Sequence, residues 1–271
     1  MNEKKNLTTE EVFALAVQNH QKNNLQVAEN LYKETLKTNP NHVDAHNNLG
    51  IVFKELGEFA KAVRNYQKAI EIQPDYAQAH FNLGIVFKEL EEFQKAISCY
   101  QKAVEINPNY AAAYFKLGIV FKELGEIQKS ISCYEKAIQI NPNYVDAHNN
   151  IGNLLKKSGE VQKAISYFKN AIQINPNDAS VYNNLGNCHE ELEDFKRAAS
   201  CYEKAIEINP NFADAYNNLG IVFKRLGEVQ KAINCYKKTI QLQSNHADAH
   251  NNLGVVFNEL GEIQEAISCF E

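Results

Sequence analysis

The chain has 271 residues, of which 44% are hydrophobic and 23% charged, with a formal net charge of −5. That apolar content excludes a disordered chain, and the interspersed acids and bases disfavour a nucleic-acid interface, which needs a clustered basic face. No apolar run reaches the length of a membrane span, and no secretory stretch follows Lys4 and Lys5 in the lead-in at 1–8, so a cytoplasmic protein with no membrane or nucleic-acid partner is expected.

The first predicted element starts at Thr9, where Thr8-Thr9-Glu10-Glu11 offers a capping box. It opens a unit at 9–42 in which Ala16 and Asn19 stand where later units carry Gly and an aromatic. In the second unit, 43–76, apolar residues at Ala45, Leu49, Val52, Phe53 and Leu56 share a side with His46 and Gly50, the spacing of an amphipathic helix, here helix A. Gly57 follows, a residue suited to a left-handed helix stop. Phe59, Ala62, Val63, Tyr66, Ala69 and Ile70 then form one stripe of a second helix, B, which Gln73-Pro74-Asp75 ends. The unit is an α-hairpin.

The same pattern returns at 77–110, 111–144, 145–178, 179–212 and 213–246, with a partial eighth unit at 247–271. All six prolines (Pro40, Pro74, Pro108, Pro142, Pro176, Pro210) obey one 34-residue period, and all twelve glycines occupy two places in it. A period of this length means stacked units without a central core. The fold class is therefore all-α, an α-solenoid of antiparallel helix pairs. Gly in the middle of helix A costs about 1 kcal/mol against Ala, so its recurrence from Gly50 to Gly254 points to a tight helix contact. The chain ends inside the eighth helix B with Ile263, Ala266, Ile267 and Phe270 uncapped. Arrays need polar ends, which suggests a longer protein or a partner at that end.

Catalytic signatures are missing. No GxSxG, HExxH, P-loop or GxGxxG pattern occurs. His189-Glu190-Glu191 approaches the metalloprotease helix, but residue 193 is Glu rather than His. Four histidines fall in an aromatic position assigned to the core, and zinc ligands must instead converge on one point. Cys99, Cys133, Cys201, Cys235 and Cys269 share one place in the period, too far apart for disulfides at a helix spacing of about 8–10 Å; Cys188 sits on another helix. No catalytic residue, cofactor or metal is expected.

The sequence His46-x2-Leu49-Gly50-x2-Phe53, then Ala62-x3-Tyr66, then Pro74, resembles the tetratricopeptide repeat. His46, His80, Tyr114, His148, Tyr182, Tyr216 and His250 fill the place where that repeat has Trp. The resemblance covers Thr9 to Glu271 and implies a right-handed superhelix with A helices lining a concave groove. Phrases such as Ala147-His148-Asn149-Asn150-Ile151-Gly152 and Cys133-Tyr134-Glu135-Lys136-Ala137-Ile138 are similar to the repeat arm of protein O-GlcNAc transferase and its bacterial relatives.

Helix A has a second stripe, at positions 2, 6, 9 and 13 of each unit, with position 5 beside it. Position 6 reads Asn48, Asn82, Lys116, Asn150, Asn184, Asn218 and Asn252. Asn is a poor helix residue, so its recurrence implies a hydrogen-bonding task. Two tasks fit: bracing a neighbouring repeat, or a ladder that grips an extended peptide backbone with amide donors and acceptors. A spacing of about 10 Å matches about three residues of extended chain, and the transferase-arm resemblance implies the second task. Position 2 gives a partial acidic row, Asp44, Asp146, Asp214 and Asp248, which either favours the helix dipole or, as the resemblance implies, contacts substrate side chains. The face is uneven. Repeats two to four are expected to present Ile51, Phe81, Ile85, Phe115 and Ile119, and repeats five and six Asn149, Asn153, Asn183 and Asn187. The family's clamp for C-terminal carboxylates needs Lys at position 5, which here is Asn or Phe, so that use is not expected.

The sequence thus points to a non-catalytic scaffold holding extended segments of other proteins. The alternative is the substrate-recruiting arm of a glycosyltransferase whose catalytic domain lies outside this chain. End-to-end self-association through the uncapped helix is a third expectation.

Overall fold

The computed structural model describes residues 7–270, so most of the lead-in, and Glu271, lie outside the described residues. The A helices are α1 (Thr9–Gln21), α3 (Val43–Glu55), α5 (Ala77–Glu89), α7 (Ala111–Glu123), α9 (Val145–Lys157), α11 (Ala179–Glu191), α13 (Ala213–Arg225) and α15 (Ala247–Glu259). The B helices are α2 (Leu25–Thr38), α4 (Phe59–Ile72), α6 (Phe93–Ile106), α8 (Ile127–Ile140), α10 (Val161–Ile174), α12 (Phe195–Ile208), α14 (Val229–Leu242) and α16 (Ile263–Phe270). The protein is an all-α solenoid of helix pairs. It divides into two compact units, Met1–Pro142 and Asn143–Glu271. No helix among the described residues is long and apolar enough to cross a membrane.

Each turn is built by its sequence. The capping box at Thr8 forms: its hydroxyl accepts from the Glu11 amide at 3.2 Å, and the Glu11 carboxylate accepts from the Thr8 amide at 2.8 Å. Helix A of the second repeat ends in a Schellman motif, with Glu58 N bonded to Phe53 O at 2.8 Å and Gly57 N to Lys54 O at 3.0 Å. Gly57 takes φ +75°, which explains its place in the period. Asn23, Glu91 and Glu193 adopt the same left-handed conformation without glycine. Leu56, assigned to the core stripe, is exposed, because it is the C-cap at the end of the hairpin.

The mid-helix glycines answer a steric demand. A Cβ on Gly50 would lie 2.6 Å from Cε1 of Tyr66, and one on Gly186 would lie 2.5 Å from Cε1 of Tyr202. In the second to eighth repeats an edge of the B-helix ring presses against the A-helix glycine. Tyr66 and Tyr202 are wholly buried by this contact. In the first unit Ala16, Tyr32, Leu49, Phe53, Tyr66, Val86, Tyr100 and Val120 belong to one continuous core. In the second, Tyr202, Leu219, Val222, Tyr236, Leu253 and Val256 form another.

The histidines in the Trp position differ from expectation. Only His148 is buried; His46, His80 and His250 are half-buried. Their rings reach the loop before helix A, where Nε2 meets the carbonyl of Pro40 at 2.9 Å, Pro74 at 3.0 Å and Ser244 at 2.9 Å. They clip the inter-repeat loop rather than fill the core. All six cysteines are unpaired, and burial pushes the thiols of Cys99, Cys133, Cys188, Cys201 and Cys235 up to about 11.

Candidate functional site

Within each unit, successive A helices touch one another: α1, α3, α5 and α7 in the first, and α9, α11, α13 and α15 in the second. Among the described residues, successive B helices make no comparable contact; each packs on the A helix of its own hairpin, and α2, α4, α6, α10, α12 and α14 pack also on the next A helix of their unit. The A helices therefore form the inner layer of each unit, and positions 2, 6, 9 and 13 lie on its surface.

The amides of positions 5 and 6 form rungs between repeats. Asn82 Nδ2 donates to Asn47 Oδ1 at 2.9 Å, Asn184 to Asn149 at 3.1 Å, Asn218 to Asn183 at 3.2 Å and Asn252 to Asn217 at 3.2 Å. At Asn82, Asn184, Asn218 and Asn252, position 6 thus braces the preceding repeat, the first of the two tasks its recurrence implied. Sequence periodicity located the ladder but not its partner, since position 5 faces position 6 only across a stacked pair. The rungs leave part of the amides open. In Asn184, Asn218 and Asn252 the half-buried side chains donate through Nδ2, and no hydrogen bond occupies Oδ1. Asn82 differs: its Oδ1 also accepts from Gln78 at 3.2 Å, and the residue is buried. Asn48 accepts from Asn47 at 3.2 Å, and Asn150 is half-buried.

Position 2 also joins repeats. Tyr76 donates to Asp44 at 2.6 Å, Tyr110 to Gln78 at 2.7 Å, and His246 lies 3.3 Å from Asp214. Burial, followed by the Asp44 carboxylate, raises the Tyr76 phenol and keeps it a donor. The equivalent residue for Asp146 is Asp178, an acceptor, which instead caps α11 through the amides of Ser180 and Val181. Asp146 and Asp248 remain exposed on the rim.

Position 5 is buried or half-buried except at Asn251 in the last repeat, which is exposed. Phe81 and Phe115, expected on the groove surface, are buried. The Phe81 ring lies 5.8 Å from Tyr100 and 4.9 Å from Tyr110, and the Phe115 ring 5.4 Å from Tyr134. The physical reason is the same as for the amides: position 5 points into the seam between stacked A helices. Asn183 is buried in that seam and Asn149 half-buried, while Asn153 is exposed. Position 9 carries the unevenness at the surface, with half-buried Ile51, Ile85 and Ile119 in the first unit. In the sixth repeat, Asn187 accepts from the Tyr202 hydroxyl at 2.7 Å and from Asn218 at 3.2 Å, and Glu190 also accepts from Tyr202 at 2.7 Å. This hydroxyl beneath the face is a feature sequence reading missed; the recurring Tyr of helix B was its only trace.

A profile for the TPR repeat matches residues 52–90, 120–159 and 222–261. Two profiles for the tetratricopeptide repeat match 77–110, 145–178 and 179–212, and 31–64, 99–132 and 201–234. Together they run without a gap from 31 to 261. The chain belongs to the tetratricopeptide repeat family. Among solved structures, this TPR protein is similar to MamA, with 33% identity over 59% of this chain and 93% of that one and a TM-score of 0.55. It is also similar to YrrB, reported as a TPR protein with an unusual peptide-binding site, at 26% identity over 68% of this chain and 95% of that one, TM-score 0.59. PilF of Pseudomonas aeruginosa shares the fold at 20% identity, covering 81% of this chain and 96% of its own, TM-score 0.65. No curated protein matches. Among the described residues, no group of three or more His, Cys, Asp or Glu is placed to hold a metal ion.

Proposed function

We propose that this TPR protein is a non-catalytic interaction scaffold whose A-helix face holds an extended segment of another protein. The observation that carries the reading is the row of half-buried amides at Asn184, Asn218 and Asn252. Each is fixed in orientation by a rung to the preceding repeat, and each has a carbonyl oxygen with no hydrogen bond in the fold. A fixed acceptor loses little conformational entropy on binding, and it accepts a backbone N–H whatever the side chain. The likeness to YrrB, a TPR protein with a peptide-binding site, supports the same use. Exposed Asp146 and Asp248 at the rim would meet side chains of the bound segment.

The test uses fluorescein-labelled nonapeptides selected from a random library on the wild-type chain. Removing two amides in Asn184→Ala with Asn218→Ala should weaken the selected peptides about tenfold, at ~0.5–1.5 kcal/mol per hydrogen bond. Urea unfolding of the same variant separates lost binding from lost folding. Unchanged affinity in a folded double variant removes the amides from recognition.

A further inference from the structure

In the third and fourth repeats the amide pattern breaks at one point. Position 6 is Lys116, the only cation in that row, and among the described residues no ion pair or hydrogen bond engages it. It borders a cleft of about 200 Å³ between α5 and α7, lined by Ile85, Lys88, Glu89, Tyr100, Lys116 and Ile119. The chemistry of this lining is unbalanced. Lys88 is already paired with Glu123 at 3.0 Å, a rung between positions 12 and 13 of successive repeats that also joins Lys224 to Glu259 at 2.8 Å. Tyr100 is 1% exposed. Its counterpart Tyr202 donates to Asn187 and Glu190, but here the same two positions are Ile85 and Lys88, neither of which has an acceptor. Burial first, with Glu89 and Glu123 contributing, raises the Tyr100 phenol, so it remains a donor.

Two donors with no hydrogen-bond partner among the described residues, the Lys116 ammonium and the Tyr100 hydroxyl, therefore border one cleft with an aliphatic floor. The group that matches this pair is a carboxylate carried on an alkyl stem, which accepts from both donors. We infer that this cleft is a side-chain subsite for a glutamate of the bound segment, its stem on Ile85 and Ile119 and its carboxylate at Lys116 and the Tyr100 hydroxyl. The inference rests on the proposed function and gives its partner a chemistry: an extended segment with a glutamate at the third and fourth repeats. Glu89, the carboxylate among the lining residues, opposes the ligand charge and limits its affinity.

The test uses three pools of labelled nonapeptides, random except for a central Glu, Gln or Lys, with the full chain. The Glu pool should bind about fivefold better than the Gln pool, the range of a partly screened ion pair with one hydrogen bond. Lys116→Glu should reverse the order so that the Lys pool leads, and Lys116→Gln, which keeps a polar side chain of similar reach, should level the Glu and Gln pools should the charge reversal disturb folding. Glu89→Gln should strengthen the Glu pool about twofold. Pools that bind equally to the wild type, or a Glu preference that survives both Lys116 variants, overturn the subsite while leaving the scaffold intact. Absence of binding by every pool overturns the scaffold and the subsite together.

Discussion

Repeats two to four and repeats five and six share one backbone, yet their inner faces are finished differently. In the first group, position 9 is Ile51, Ile85 and Ile119, and the Tyr66 hydroxyl beneath it is buried with no hydrogen-bond partner. In the second group, position 9 is Asn153 and Asn187, and Asn187 ties the Tyr202 hydroxyl, Glu190 and Asn218 into one network. The lesson is that a repeat fixes where a group stands, while its neighbours fix whether that group is satisfied. An aliphatic residue above a tyrosine offers its hydroxyl no acceptor. Asn187 closes the network internally, whereas Asn153, in the repeat whose ring is Phe168, stays exposed.

The largest expected break in this comparison comes from the glycines. Gly186→Ala drives a Cβ to 2.5 Å from a ring whose hydroxyl is held by two bonds, and Gly50→Ala meets Tyr66 at 2.6 Å with its hydroxyl unheld. Both should destabilise, by ~1–3 kcal/mol for overpacking, with Gly186→Ala the more severe. Ala16 and Tyr32 are both fully buried in the first repeat, so this place in the fold can accept a methyl group. Urea midpoints rank the two variants, and equal losses mean that the hydroxyl network does not hold the ring.

A smaller effect, of opposite sign in the two regions, is expected from the tyrosines. Tyr202→Phe leaves Asn187 and Glu190 with a lost donor and should cost ~1–2 kcal/mol, whereas Tyr66→Phe removes an unmatched hydroxyl and should be neutral or stabilising. Thermal unfolding of the two variants checks this, and a cost at Tyr66 matching that at Tyr202 would falsify the contrast.

The smallest effect concerns pH. His189 is buried in the sixth repeat, and burial lowers its pKa below the usual 6.5. The folded state then binds fewer protons than the unfolded state, so its stability is complete above about 6.5 and declines as the pH falls through that value toward the lower folded one. His189→Gln should flatten the dependence in a urea titration between pH 7 and pH 5. The repeats on the first side of the comparison have no buried histidine at this place, since the equivalent residues are Phe53, Phe87 and Phe121.

Much of the fold was legible because helix periodicity, left-handed glycines and loop prolines act within one hairpin. Gly57 and Pro74 needed nothing beyond their own neighbours to set their conformations. The candidate site was legible in outline only. Asn184 and Asn218 were placed on the inner face by their spacing, but the bond from each to position 5 of the preceding repeat joins residues 35 apart, a distance that local pattern does not encode. Phe81 and Phe115 were misplaced for the same reason: a residue at the edge of a helical stripe is buried or exposed according to the helix stacked beside it. The half-buried histidines His46 and His80 followed the same rule, since a ring that reads as core in a periodic stripe found a loop carbonyl instead.

By itself, then, the sequence determined the hairpin, its 34-residue period and which positions recur on one side of helix A, because those are short-range consequences of backbone geometry. Only the stacked structure decided which amides brace the array, which hydroxyls lack an acceptor, and that Lys116 and Tyr100 border one cleft, because hydrogen-bond satisfaction depends on groups that meet across the seams between repeats.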